Sequence, residues 1–270
     1  MYKLIALDMD GTLLRTDQTI HPDTLRDLRA AAEHGVQVAY CSGRALSELR
    51  PYFSLLPMMR WAVCYSGAMV YDCREERAVF HAPIPQPLVA EILDAARDYG
   101  AMPELLREAE SIVSGADLDH IRDFHLEAFL SLFRKTARQS NDLLADGRQY
   151  RDLLKLNLFF RTISDRQEIR KRLDALPLEF VELYDTALEL NARGVTKGTG
   201  LTKLAEILGI SMGGTVGIGD SGNDREMFRH VGLAVAMGNA EPGIRELCAM
   251  TTGDNDHNGV GEAIRKILRI

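Results

Sequence analysis

Cysteine is scarce and unpatterned: Cys41, Cys64, Cys73 and Cys248 are scattered through 270 residues, and no two form a CxxC pair. Such spacing suggests neither a zinc site nor a disulfide framework, so reduced thiols in a cytoplasmic protein are the expectation. Long apolar runs are missing as well. No stretch is long enough to span a bilayer, and the amino end, with one lysine, a very short apolar run and then acids, does not read as a signal peptide. Basic charge is also in short supply, with a formal net charge of −7 and a pI near 5.6. That balance argues against a nucleic-acid or membrane-surface binder, which would need a basic face. An anionic substrate would require local positive charge or a metal ion. No internal repeat or low-complexity tract is evident, and nothing in the sequence sets the oligomeric state.

What is present is a core-building composition, 46% hydrophobic, over a length that suits one large domain or two smaller ones. The most informative stretch is KLIALDMDGTL, residues 3–13. Leu4-Ile5-Ala6-Leu7 has the length and residue types of a buried parallel strand and stops at two acids one residue apart. Side-chain direction alternates along a strand, so Asp8 and Asp10 leave on the same side. Two carboxylates projecting together repel, and one takes up a proton unless a cation sits between them or nearby chemistry uses that proton. An EF-hand is excluded, because Gly11 comes too early and the closing Glu is absent.

Along the chain, helical spacing over Thr24–His34 closes at Gly35, and Val36–Tyr40 reads as a second strand running into Cys41-Ser42-Gly43-Arg44. Ala45–Phe53 reads as helix and Trp61–Tyr65 as a third strand, ending in Ser66-Gly67-Ala68 and followed by Met69–Tyr71. Strands alternating with helices, with small polar residues at strand ends, predict an α/β fold with a doubly wound parallel sheet, whose ligands sit beyond the carboxyl ends of the strands. The rhythm changes near Pro83, Pro85 and Pro87. Helices are predicted over Leu88–Tyr99, Asp117–Lys135 and Asp165–Leu176, with strands at Ser111–Ser114 and Leu153–Phe160. In the Asp117–Lys135 segment, Leu118, Ile121, His125, Phe129 and Leu132 share one helical face. These elements predict a smaller α/β domain over residues 83–187, inserted into a core of residues 1–82 and 188–270. The first rhythm returns from Leu188, with a helix over Thr199–Leu208, strands Thr215–Ile218 and Leu233–Met237, and an amphipathic helix at the end.

Four polar strand ends need a common explanation: Asp8/Asp10, Ser42-Gly43-Arg44, Lys197 and Asp220/Asn223/Asp224. Their residue types suit phosphoryl transfer, which demands neutralised phosphate oxygens and in-line positioning. Asp8 and Asp220 are hard oxygen ligands for Mg²⁺. Ser42, a backbone N–H at Gly43 and Lys197 can hold phosphate oxygens, with Arg44 a further candidate contact, and Asp10 is free to act as acid and then base.

Together these features resemble the haloacid dehalogenase superfamily of phosphatases. DMDGT, a strand ending in Ser42, Lys197 and GDSGND occur in the family's order, with an insert between the second and third. More narrowly, GVTKGTGL, AVAMGNA and the final TGDNDHNGVGEAI are similar to the Cof-type sugar phosphatases, which carry a mobile substrate-selecting cap at that insertion. The resemblance implies that Asp8 is a nucleophile forming an aspartyl-phosphate. It makes Asp10 the general acid/base that also lends its carbonyl to the metal, Asp220 a metal ligand, and Asp224 a support of the metal's water shell. Ser42, Gly43, Lys197 and Asn223 match phosphate-holding positions. Three departures stand out: Ser66 replaces the usual Asn, Asn258 the usual Asp, and Ser42 the commoner Thr. The function implied is Mg²⁺-dependent hydrolysis of small phosphomonoesters, with sugar phosphates ahead of pyridoxal phosphate or flavin mononucleotide. A phosphosugar mutase and a non-catalytic phospho-ligand-binding module remain as alternatives.

Overall fold

The computed structural model describes residues 2–108 and 110–270, except for the side chains of Leu183 and Tyr184. The chain divides into two compact units, one of Met1–Arg44, Leu49–His81 and Thr196–Ile270, the other of Ala45–Glu48 and Ala82–Val195. In chain order the first unit contributes β1 (Leu4–Leu7), β2 (Gln37–Cys41), β3 (Trp61–Cys64), β4 (Met69–Asp72) and β5 (Arg77–His81). The second contributes β6 (Met102–Leu106), β7 (Ser111–Ser114), β8 (Ala137–Ser140), β9 (Lys155–Phe159), β10 (Leu178–Tyr184) and β11 (Ala187–Ala192). The chain then returns to the first unit for β12 (Thr215–Gly219), β13 (Leu233–Ala236) and β14 (Met250–Thr251).

The first unit is an eight-stranded sheet in the order β14-β13-β12-β1-β2-β3-β4-β5. All pairings from β14 to β3 are parallel, and β1 is buried throughout because the strands of such a sheet are covered on both faces. From β1 the chain runs outward through β2 and β3, then returns beside β1 as β12 and runs the other way. The gap between the ends of β1 and β12 is therefore the topological switch point of the sheet. Beyond β3 the pairing turns antiparallel, so β4 and β5 form an edge meander on the expected parallel sheet.

The second unit is a six-stranded sheet in the order β10-β11-β9-β6-β7-β8, antiparallel except for the β7–β8 pair. One face carries Leu105, Ile112, Leu156, Leu158, Leu188 and Leu190 into a core with the helices Gln86–Asp98 and Ile163–Leu173. On the opposite face, Met102, Val113, Phe159 and Ala187 pack with Leu118, Ile121, Phe124, Leu126 and Phe133. β11 starts at Ala187, so the stretch from Leu188 in which the first rhythm was expected to resume is the central partner of β9 and β10.

The helix expected over Asp117–Lys135 is broken into Gly115–Asp119, single turns at Ile121–Phe124 and Glu127–Phe129, and Leu130–Thr136. The backbone turns left-handed at His125, with φ 60°, which interrupts the 3.6-residue period. Phe124 and Leu126 consequently enter the core while Phe129 and Leu132 remain exposed. The His125 ring lies 3.0 Å from the Arg161 carbonyl oxygen through Nε2. Among the described residues no helix is long and apolar enough to cross a membrane.

After β3 the chain makes a turn with positive φ at three successive residues, Tyr65 (52°), Ser66 (56°) and Gly67 (103°). This turn lies against the start of the helix Lys197–Leu208, where a Cβ on Gly67 would collide with the Thr196 carbonyl. Left-handed backbone and a backbone collision act together here, so Gly67→Ala is expected to cost about 2–4 kcal/mol. A urea unfolding midpoint unchanged from wild type would contradict this contact.

Candidate active site

The Asp8 amide donates to the Ile218 carbonyl at 3.0 Å, which fixes Asp8 and the following Asp10 at the switch point beside the end of β12. From β12 the chain enters Asp220-Ser221-Gly222-Asn223-Asp224. This loop is closed by Asp224, whose Oδ2 accepts from the amides of Asp220 at 3.0 Å and Ser221 at 3.3 Å. Lys197 arrives from a third direction at the first position of its helix. Thr196 caps that helix reciprocally with Thr199, a capping box built from two threonines.

Lys197 is 1% exposed, and its ammonium donates to Asp8 Oδ1 at 2.6 Å, Asp224 Oδ1 at 2.7 Å and Asn223 Oδ1 at 3.0 Å. Three donors meet three acceptors, so the ammonium is satisfied by side chains alone. Burial by itself would lower the lysine's pKa, but the Asp224 and Asp8 charges outweigh it and hold the group cationic. Burial raises the Asp8 carboxyl well above its ordinary range, opposed by Lys197 and reinforced by Asp224 and Asp220. Asp220 is pushed up to about 6 by burial and the Asp224 charge, while the Thr12 hydroxyl, donating at 2.9 Å, pulls it back.

Asp8, Asp220 and Asp224 offer carboxylate oxygens within 4.8 Å of one another. Three acids around one ammonium leave a negative excess, and the all-oxygen donor set suits a hard divalent cation. Asp224 has both oxygens engaged, by Lys197 and by the loop amides, which makes it an anchor of the loop and of the lysine.

Asp10, expected to be free, and Arg44, expected at the phosphate, are engaged with each other. Arg44 donates through Nε at 2.8 Å and Nη2 at 2.5 Å to the two Asp10 oxygens, and through Nη2 to Gln18 Oε1 at 2.8 Å. Its guanidinium also lies 5.8 Å from the centre of the Tyr52 ring. Ser42 is buried at the end of β2, with its hydroxyl accepting from the Arg44 amide at 3.2 Å across Gly43. The strand-end turn therefore aims the arginine.

Sequence reasoning missed the residues that brace this edge. Thr12 belongs to the DMDGT stretch, where an oxygen-bearing side chain beyond the glycine was the available signal. Asn239 donates to the Gly11 carbonyl at 2.8 Å and accepts from the Asn255 amide at 3.1 Å, and Asn255 donates to the Leu14 carbonyl at 2.9 Å. The GNA and GDNDHN stretches thus clamp the backbone of the turn after Asp8. Asn258, which departs from the expected Asp, adopts a left-handed conformation, accepts from the Thr24 hydroxyl at 2.7 Å and donates to Asp27 Oδ2 at 3.4 Å.

The pattern of the haloacid dehalogenase-like hydrolases matches residues 5–264. The chain belongs to that family. Among relatives of these hydrolases, the HMP-PP phosphatase of Serratia proteamaculans (strain 568) is 30% identical over 257 residues, covering 92% of this chain and 88% of the relative. The pyridoxal phosphate phosphatase YbhA of Escherichia coli (strain K12) is 26% identical, with 97% of each chain covered. A haloacid dehalogenase-like hydrolase from Bacteroides thetaiotaomicron superposes with a TM-score of 0.85 at 26% identity, covering 99% of this chain and 100% of that one.

The raised Asp220 carboxyl carries a stability consequence for the metal-free hydrolase. The folded group keeps its proton up to about 6, whereas the ordinary value is 3.8, so the folded state binds more protons between those values and stability falls as pH rises through them. In EDTA, Asp220→Asn is therefore expected to stabilise the protein by about 1–3 kcal/mol above pH 6, with the gain vanishing below pH 4. A variant less stable than wild type at pH 8 in EDTA would contradict the repulsion inferred here.

Proposed function

We propose that the protein is a Mg²⁺-dependent phosphomonoester hydrolase, cytoplasmic, acting on small phosphorylated metabolites, sugar phosphates foremost, through an aspartyl-phosphate on Asp8. The observation that carries the reading is the buried Lys197 ammonium bridging Asp8, Asn223 and Asp224 at the switch point. A carboxylate attacks a phosphate dianion only where cationic groups first cancel their repulsion. The unit Ala82–Val195, inserted in the chain between Arg44 and Lys197, serves in this reading as the substrate-selecting cap. The two curated relatives named for small phosphorylated molecules support the substrate class, and four free cysteines are compatible with a reducing compartment.

In the first step an Asp8 oxygen bonds to phosphorus, the bond from phosphorus to the ester oxygen breaks, and Asp10 delivers its proton to the departing alkoxide. In the second, Asp10 takes a proton from water, whose oxygen attacks phosphorus and frees Asp8, yielding inorganic phosphate. Lys197, Asn223, the Ser42 hydroxyl and the Gly43 amide hold the phosphate oxygens. Arg44 holds both Asp10 oxygens, and a phosphate dianion competing for its guanidinium releases Asp10 toward the ester oxygen. Asp8 and Asp220, with the Asp10 carbonyl, would hold Mg²⁺ while Asp224 supports its surroundings. When bound, the cation supplies neutralisation of charge on the carboxylates and the phosphate.

Asp8→Asn is expected to reduce phosphate release from p-nitrophenyl phosphate by about 10³-fold or more with an unchanged melting temperature. EDTA is expected to abolish wild-type release and Mg²⁺ to restore it. Normal turnover by the variant, or turnover indifferent to EDTA, would overturn the assignment.

A further inference from the structure

After Leu14 the chain turns back on itself in a loop of Thr16, Asp17 and Gln18. The loop is closed by backbone bonds from the Arg15 amide to the Thr19 carbonyl at 2.8 Å and from the Gln18 amide to the Arg15 carbonyl at 2.9 Å. The last residue of such a loop turns left-handed, a conformation that glycine adopts at least cost. Here that residue is Gln18, with φ 65°. Other side chains already fix the loop. Asp17 Oδ1 accepts from the Thr19 amide at 3.0 Å, and Asp256 accepts from the Thr16 amide at 2.9 Å and the Thr16 hydroxyl at 2.8 Å. The Gln18 side chain takes no part in these bonds.

Its partner is Arg44. Gln18 Oε1 accepts from Arg44 Nη2 at 2.8 Å, and the same nitrogen donates to Asp10 Oδ1 at 2.5 Å. A terminal guanidinium nitrogen carries two hydrogens, so these two acceptors use both. Arg44 Nε completes the grip on Asp10 through Oδ2 at 2.8 Å. Being neutral, Gln18 holds this fork without competing with Asp10 for its charge. Gln18 is exposed, so the bond adds little to stability and does not offset the cost of left-handed backbone at a residue with a Cβ. A backbone cost without a stabilising return points to a role in the site.

We propose that Gln18 is a positioning residue for proton transfer, holding the Arg44 fork so that Asp10 stands where the ester oxygen departs. In the first step of hydrolysis Asp10 gives its proton to that oxygen as the oxygen's bond to phosphorus breaks, and the transfer requires the two groups to be within hydrogen-bond reach. A fork free to swing carries Asp10 with it. A fork tied to a braced turn does not, and a small misplacement of a catalytic group is costly. Gln18 acts through Arg44 and touches neither the phosphate nor the metal in this account. The inference rests on the hydrolase reading above.

Comparing two leaving groups with the full-length protein and Mg²⁺ tests it. p-Nitrophenolate departs readily without a proton, whereas phenolate is a much stronger base and needs one, so a misplaced Asp10 penalises phenyl phosphate above p-nitrophenyl phosphate. Gln18→Gly removes the amide and suits the left-handed backbone, while Gln18→Met keeps the side-chain length and removes the acceptor. Both are expected to lower kcat/KM for phenyl phosphate about tenfold and for p-nitrophenyl phosphate by no more than about threefold, with the melting temperature of Gln18→Gly unchanged or raised. Equal losses on the two esters, wild-type values on both, or a loss confined to one of the variants would overturn the proposal. A second readout needs no turnover. The Arg44 Nε–H resonance, assigned by its absence in Arg44→Lys, should exchange with water about threefold or more faster in both variants, and unchanged exchange would also overturn the proposal. Wild-type protein that hydrolyses neither ester would instead remove the hydrolase reading, and the exchange rates would still decide whether Gln18 holds the fork.

Discussion

A single buried ammonium holds this site together. Lys197 satisfies its three protons on Asp8, Asp224 and Asn223, groups that come from the start of the chain and from near its end. Removing the cation from such a buried arrangement costs about 3–5 kcal/mol in other proteins, because the stranded carboxylates have no water to turn to. The same charge balance serves chemistry. One cation facing three acids leaves the pocket electronegative, fit for a divalent ion, and keeps the Asp8 carboxylate bonded through one oxygen to the group that would receive a phosphate oxygen.

The topology supplies the convergence. β1 and β12 are neighbours that the chain enters at its beginning and re-enters after the insert, so Asp8 and Asp220 meet without any long loop reaching across. Short devices then fix the side chains: the Thr196/Thr199 cap places Lys197 at a helix start, and Asp224 ties its own loop shut. Asn239 and Asn255 hold the turn after Asp8 from behind. The stretches most easily read as motifs are those whose side chains bond to backbone, and that explains why they are spelled with Asp, Asn, Thr and Gly.

This accounts for what was legible beforehand. Leu4-Ile5-Ala6-Leu7 and Thr215–Ile218 are apolar runs bounded by acids, and buried parallel strands of that kind announce themselves. The grouping of Asp8, Lys197, Asn223, Asp220 and Asp224 followed from strand ends alone. The Arg44–Asp10 pair did not, since an arginine beside a strand end reads equally well as a phosphate ligand or as a carboxylate partner. The second unit was harder. In its strands β6 and β11 the buried polar residues Glu104, Glu189 and Asn191 interrupt otherwise apolar stretches, so Met102–Leu106 and Ala187–Ala192 resemble neither a buried run nor a solvent-facing strand. Between Gly115 and Thr136, a left-handed His125 shifts the helical phase, which no spacing rule anticipates for a non-glycine residue.

The account stands on a phosphoryl group passing through Asp8 itself. Rapid mixing of the Mg²⁺-loaded protein with a substrate, followed by borohydride reduction and peptide mass spectrometry, tests this directly. An acyl phosphate on Asp8 is reduced to the alcohol, so the account predicts homoserine at position 8 in wild-type protein and none when substrate is omitted. Continued phosphate release with an unmodified Asp8, or with the reduced residue elsewhere in the chain, would contradict it.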